Sequence, residues 1–264
     1  MHPFPFRLDC QNLDWMDDRL CDFEDPILWR DFTDGARFFA KIQKPFGLRG
    51  FNLTDDSAPR PELPPGPYTQ IAFHEWLARE YGGLEQTLKA WGWTPECEVA
   101  APPVDGQLPY DPYVAVQFHE WLKQKYGSLA EVAKAWKITT DFGYFHVFGA
   151  IERESLAKLK AKGNTAGEAD VTAFLAEWRK KSTPVNQFGK ITHLSVKKAY
   201  DLGITAPWID AKRFLQMRWV DYMEKIGAAA KSEVPDMVVG TDAAYYDNAQ
   251  ADAFGVADYI APYY

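Results

Sequence analysis

The stretch Arg49–Pro59 reads RGFNLTDDSAP. Its opening, Gly-Phe-Asn-Leu, has the composition of a short buried strand, and two carboxylates, Asp55 and Asp56, follow side by side before a turn. A pair of acids at a strand end either fills a turn or does chemistry. The preceding segment sets the context. In PILWRDFTDGARFFAKIQK, Pro26–Lys44, the apolar residues Ile27, Leu28, Phe32, Ala36 and Phe39 recur at helical spacing. Pro26 suits a first helical turn. PFGLRG then ends the helix and FNL follows as a strand. A helix feeding a strand is the unit of an α/β protein.

Beyond Asp56, residues 57–67 hold five prolines and a glycine and read as a loop. A near repeat comes next. FHEWLAREYGGLEQTLKAW begins at Phe73, and FHEWLKQKYGSLAEVAKAW begins at Phe118, an offset of 45 residues. Each copy reads as a helix ended by glycine, then a second helix. In the second copy Ser128 and Glu131 have the spacing of a capping box. Two copies are too few for a solenoid; a duplicated helical hairpin is the simpler reading. Trp76, Trp91, Trp121 and Trp136 sit at helical spacing and are expected in the core. His74 and His119 are each followed by Glu, but no second His stands four residues on, so the helical zinc motif is absent.

Towards the end, APWIDAKRFLQMRWVDYMEKIGAAAKSEV predicts a long amphipathic helix from about Trp208, with Phe214, Met217, Val220 and Ile226 near one side. Met237–Gly240 reads as a buried strand running into Thr241 and Asp242, and DYIAPYY as another ending in aromatics. Three predicted strands therefore end in functional-looking residues: Asn52–Asp56, Val238–Asp242 and Tyr259–Tyr264. In parallel α/β sheets ligands sit at the carboxyl ends of the strands, so all three ends are expected to face one site. Tyr263 and Tyr264 are placed to stack on a flat ligand there; Asp242, Tyr245 and Tyr246 share that logic.

Composition narrows the function classes. The net charge is −8 with no basic run, which argues against nucleic acid. No run of eighteen apolar residues exists, so no membrane span is expected. The N-terminus, MHPFPFRLDC, lacks the pattern of a signal peptide. Cys10, Cys21 and Cys97 are too few and scattered for a disulfide framework or a zinc site. No cofactor or metal is expected, and the sequence assigns no compartment.

From about Asp25 to Tyr264 the chain resembles the β-galactosidase-like glycoside hydrolases of clan A, around family forty-two. GFNLTDD resembles that family's fourth strand, and FHEWLKQKYGSLAEVAKAW the helical insertion after it. APWIDAKRFL at Ala206 resembles the segment leading into the next barrel helix, and PDMVVGTDAAYY and DYIAPYY resemble strands five and six. The fold implied is α/β, a partial (β/α)8 (TIM) barrel with a large helical insertion. Residues 1–67 and 206–264 would be barrel portions, and 68–205 the insertion.

The resemblance further implies retaining hydrolysis by two carboxylates about 5–5.5 Å apart. Asp56 falls at the acid/base position, with Asp55 before it. Asp56 is one methylene shorter than the family's Glu, and a misplacement of about 1 Å can cost about a hundredfold in rate. The family's nucleophile lies on a seventh strand, beyond Tyr264, so the chain is expected to be a fragment inactive by itself. Asn52, Asp242, Tyr245, Tyr263 and Tyr264 would contact a carbohydrate substrate. Relatives in that family often oligomerise, which leaves a homo-oligomer open. The alternatives are a carbohydrate-binding protein that does not cleave and a helical protein-interaction module, in which exposed aromatics would lie on helices.

Overall fold

The computed structural model describes residues 24–47, 50–52, 67–94, 112–137, 163–180, 196–243 and 258–262. The chain forms two compact units. One holds residues up to Pro64 together with Pro207–Tyr264, and the other holds Pro65–Ala206.

The first unit contains α1 (Pro26–Gln43), a 3-10 turn (Lys44–Phe46), β1 (Gly50–Asn52) and the 28-residue helix α8 (Ala206–Glu233). Strands β2 (Val238–Ala243) and β3 (Tyr259–Pro262) complete it. Of the apolar stripe predicted for α1, Phe32 and Ala36 are buried and Phe39 is half-buried, and Ala40, which the stripe did not include, is buried beside them. Phe32, Ala36 and Ala40 pack in one core with Trp219, Met223, Ile226 and Ala230 of α8 and with Val239 of β2. The alanines on both helices leave room for the backbones to approach. Of the residues expected near one side of α8, Phe214 and Ile226 are buried, Val220 is partly buried against the core, and Met217 departs from that reading at 49% exposed.

At the start of α1, Glu24 receives the Arg218 guanidinium through both carboxylate oxygens, and the Tyr222 hydroxyl donates to it at 2.7 Å. Trp29 stacks on Tyr222 with centroids 4.0 Å apart. Burial, then the Glu24 charge, pushes the Tyr222 phenol up. Burial alone would lower Arg218, but its bonds to Glu24 outweigh that and raise it. At the other end of α1, Lys44 Nζ donates to the Glu233 carbonyl at 3.1 Å, putting a cation at the C-terminus of α8.

The strands form one sheet in the order β1-β2-β3, with both pairings parallel. This corrects the expectation of a partial (β/α)8 barrel. The described residues are mostly helical, the strands hold only 3, 6 and 4 residues, and among the described residues no fourth strand pairs with either edge. Among the described residues the buried apolar side chains lie mostly on helices. The few strand-like runs are too short to carry the staggered, closed hydrogen-bond ladder of a barrel.

The second unit is helical: α2 (Pro67–Tyr81), α3 (Leu84–Trp91), α4 (Pro112–Tyr126), α5 (Leu129–Ala135), α6 (Thr165–Lys180) and α7 (Val196–Asp201). The repeat folds as two hairpins, α2–α3 and α4–α5. Gly82 and Gly127 close the first helix of each with positive φ, 87° and 80°, which glycine adopts without cost. Ser128 caps α5, its Oγ accepting from the Glu131 N–H at 3.3 Å. Trp76, Trp91 and Trp136 are buried. Trp121 is half-buried; its Nε1 donates to Glu177 at 3.2 Å, and the Lys125 ammonium lies 5.2 Å from its ring.

Gly227 of α8 faces β2 closely: a Cβ there would stand 3.2 Å from Val239 Cγ1. Alanine at 227 gains up to about 1 kcal/mol of helix propensity, but overpacking a filled core costs about 1–3 kcal/mol. Val239 is fully buried and β-branched, so it has little freedom to yield. Gly227→Ala is expected to lower stability by about 1 kcal/mol in urea unfolding, and to raise it in a Val239→Ala background. Stabilisation in the wild-type background would show that the strand gives way.

Candidate functional site

Because all three strands run the same way, their carboxyl ends lie along one edge of the sheet. The register aligns Asn52 with Gly240 and Gly240 with Tyr259. Asp242 stands two residues further along β2, aligned with Ala261. The backbone thus brings Asn52 and Asp242, two of the sequence-predicted residues, to adjacent strands near that edge. Asp55, Asp56, Tyr245, Tyr263 and Tyr264 lie outside the described residues. Along the chain Asp55 comes three residues after β1, Tyr245 two after β2, and Tyr263 directly after β3.

The register of β2 on β3 is held by Asp258, which sequence reasoning missed. Its N–H donates to the Val239 carbonyl at 2.6 Å, and its Oδ2 accepts from the Val239 N–H at 2.7 Å. Lys231 of α8 reaches the same oxygen at 2.6 Å. The Lys231 bond first, then the Val239 N–H, hold the Asp258 carboxyl below its ordinary value. A depressed carboxyl contributes stability that is present at neutral pH and fades as the pH falls through the carboxylate range. No sequence motif marks Asp258; it stands just before a strand, where acids are common in turns.

The second unit holds two polar clusters in its interior. Asp170 of α6 is buried and accepts from Trp136 Nε1 and the Tyr126 hydroxyl, each at 2.7 Å, and from Lys125 Nζ. The Lys125 ammonium is raised, chiefly by its bond to Asp170. The Tyr126 phenol is raised by burial and by that same carboxylate. A buried charge is tolerated only when hydrogen-bonded in this way. The other cluster is the seam of α2 and α4. His74 and His119 are almost fully buried. Tyr113 Oη stands 3.4 Å from His74 Nδ1, a long contact whose donor depends on the imidazole tautomer.

Among the described residues no group of three or more His, Cys, Asp or Glu is placed to hold a metal ion, and no helix is long and apolar enough to cross a membrane. No family model, curated protein or solved structure matches the chain.

Two expected outcomes follow from these clusters. Asp258→Ala leaves the Val239 N–H without its side-chain acceptor, a loss of about 1 kcal/mol. Amide exchange at Val239 should quicken while that at Ala230 in α8 is unchanged; equal protection at Val239 would show that the clamp is dispensable. Burial lowers His74 to about 4. A buried neutral imidazole contributes stability that is complete above the unfolded value of about 6.5 and is lost as the pH falls towards 4. The loss reaches about 3 kcal/mol. The urea midpoint of His74→Gln should therefore vary less between pH 7 and 4 than that of the wild type; identical slopes would show that His74 is not the group responsible.

Proposed function

We propose that the chain is a glycoside hydrolase, or an incomplete fragment of one that lacks the nucleophile strand, with a glycoside at the carboxyl edge of its parallel sheet and Asp56 in the general acid/base position. The parallel register carries this reading, because it gives three strand ends a common edge, and ligands of parallel sheets collect at that edge. Asp55 and Asp56 follow one end, Asp242 and Tyr245 another, Tyr263 and Tyr264 the third. Carboxylates supply the proton transfer that glycosidic cleavage needs, and tyrosine faces suit sugar rings. Asn52 at the end of β1 is the substrate-orienting amide in this reading. The resemblance of GFNLTDD to the β-galactosidase-like hydrolases supports the assignment of the proton donor.

A second reading is favoured by a different observation. Phe38 on α1, Phe46 in the 3-10 turn and Tyr200 on α7 are 57%, 87% and 58% exposed. Large aromatics exposed on helices suit a protein-interaction module.

The test compares the chain with Asp56→Asn and Asp56→Glu on 4-nitrophenyl β-galactoside, following release of nitrophenol and glycoside binding by tryptophan fluorescence. The Asn variant should lose about 10²–10⁴-fold in kcat/KM, the range for removing a general acid, while still binding. The Glu variant should keep or raise turnover. Turnover unchanged in Asp56→Asn removes Asp56 from the chemistry. Absence of any glycoside binding hands the chain to the second reading.

A further inference from the structure

The two hairpins, 67–94 and 112–137, repeat one sequence, and their leading helices α2 and α4 pack together. The contacts across that seam are reciprocal. Tyr68 of the first copy meets His119 of the second, with ring centroids 6.3 Å apart. Tyr113 of the second copy meets His74 of the first, at 6.0 Å. Each residue is the counterpart of the other at the 45-residue offset. When position i of one copy meets position j of the other, and j meets i, the interface obeys the rule of an isologous two-fold pair. A seam of this kind is self-complementary. It offers the same contacts to a hairpin of its own chain and to a hairpin of another chain.

We propose that the α2–α4 seam is also the docking surface for a second copy of this chain, giving a domain-swapped dimer. In it the first hairpin of each chain packs on the second hairpin of the other. The exchange remakes each Tyr–His pair twice and needs no new contact, which is what makes swapping a low-cost route to a dimer. Two segments have to pass between subunits: residues 53–66, which join the first hairpin to β1 in the first unit of its own chain, and the connector between the hairpins. The connector comprises residues 95–111 and includes Pro95, Pro102, Pro103 and Pro109. A fully extended chain of that length reaches roughly 55 Å, several times the ~10 Å between packed helix axes. The connector holds the two hairpins of one chain at high effective concentration, so the monomer prevails when dilute and the dimer when concentrated. Because the swapped and closed forms share one seam, they interconvert only when that seam opens.

The experiment uses the full chain in isotope-labelled and unlabelled forms. They are unfolded together in guanidinium, refolded at high concentration, diluted and weighed by native mass spectrometry. The expected result is dimers of mixed label that persist on dilution, with no mixing when the two folded preparations are combined without unfolding. Monomer alone after refolding overturns the proposal. So do mixed dimers that appear without unfolding, because folded surfaces would then suffice.

Discussion

Val239 commits both its backbone groups to Asp258, and the sheet depends on that exchange. A strand residue in a parallel ladder normally bonds to two different residues of its neighbour. Here one residue supplies both partners, its own N–H and its carboxylate. The arrangement fixes where β3 begins against β2, and so fixes which residues share the carboxyl edge. Lys231 brings α8 into the same contact. The Val239 side chain meanwhile fills the space opposite Gly227 of that helix. Helix, central strand and edge strand are therefore referenced to one residue, by its backbone on one side and its side chain on another.

The helical unit is organised differently, by a repeated sequence put to unequal use. Both copies carry the Tyr and Trp that in the second copy converge on Asp170: Tyr81 and Trp91 correspond to Tyr126 and Trp136. The cation does not recur. Where the second copy has Lys125, the first has Glu80. A carboxylate held by two neutral donors and an ammonium is well compensated, whereas a Glu in the ammonium's place repels it. The aromatic frame is common to both copies, and Lys125 in the place of Glu80 is among the charge differences that mark the copy that anchors α6.

The helices were legible because their signals are local. The stripe in α1, the capping box before α5, and the glycines closing α2 and α4 are each read within a dozen residues. The barrel was not legible in the same sense. It is implied by a family resemblance carried in part on three short strand-like runs, which fix neither the number of strands nor their closure, and the described strands form a small open sheet. The seam of α2 and α4 was hidden because it depends on which faces meet. That is a tertiary fact, and it buries His74 and His119 between helices whose faces the sequence alone does not orient. Asp258 was invisible because its partner is a backbone amide nineteen residues away. Of the candidate site, chemical types and strand ends were legible, and the register added the common edge for Asn52 and Asp242. The positions of Asp55, Asp56, Tyr245, Tyr263 and Tyr264 lie outside the described residues.

The pairing of Gly50 with Val238 joins parts of the chain made at very different times. The same is true of Glu24 and Arg218, which are 194 residues apart. During synthesis at about 5–20 residues per second, β1 emerges on the order of ten seconds or more before its partner strand exists. The contacts of the helical unit span far less chain, 39 residues for His74 with Tyr113 and 44 for Tyr126 with Asp170, so that unit can form during the interval. Throughout it the edge of β1 waits unpaired, open to strands of other nascent chains. A strand of only three residues presents a poor template for such mispairing. Its brevity, which contributes little to the finished sheet, protects the chain while it is still being made.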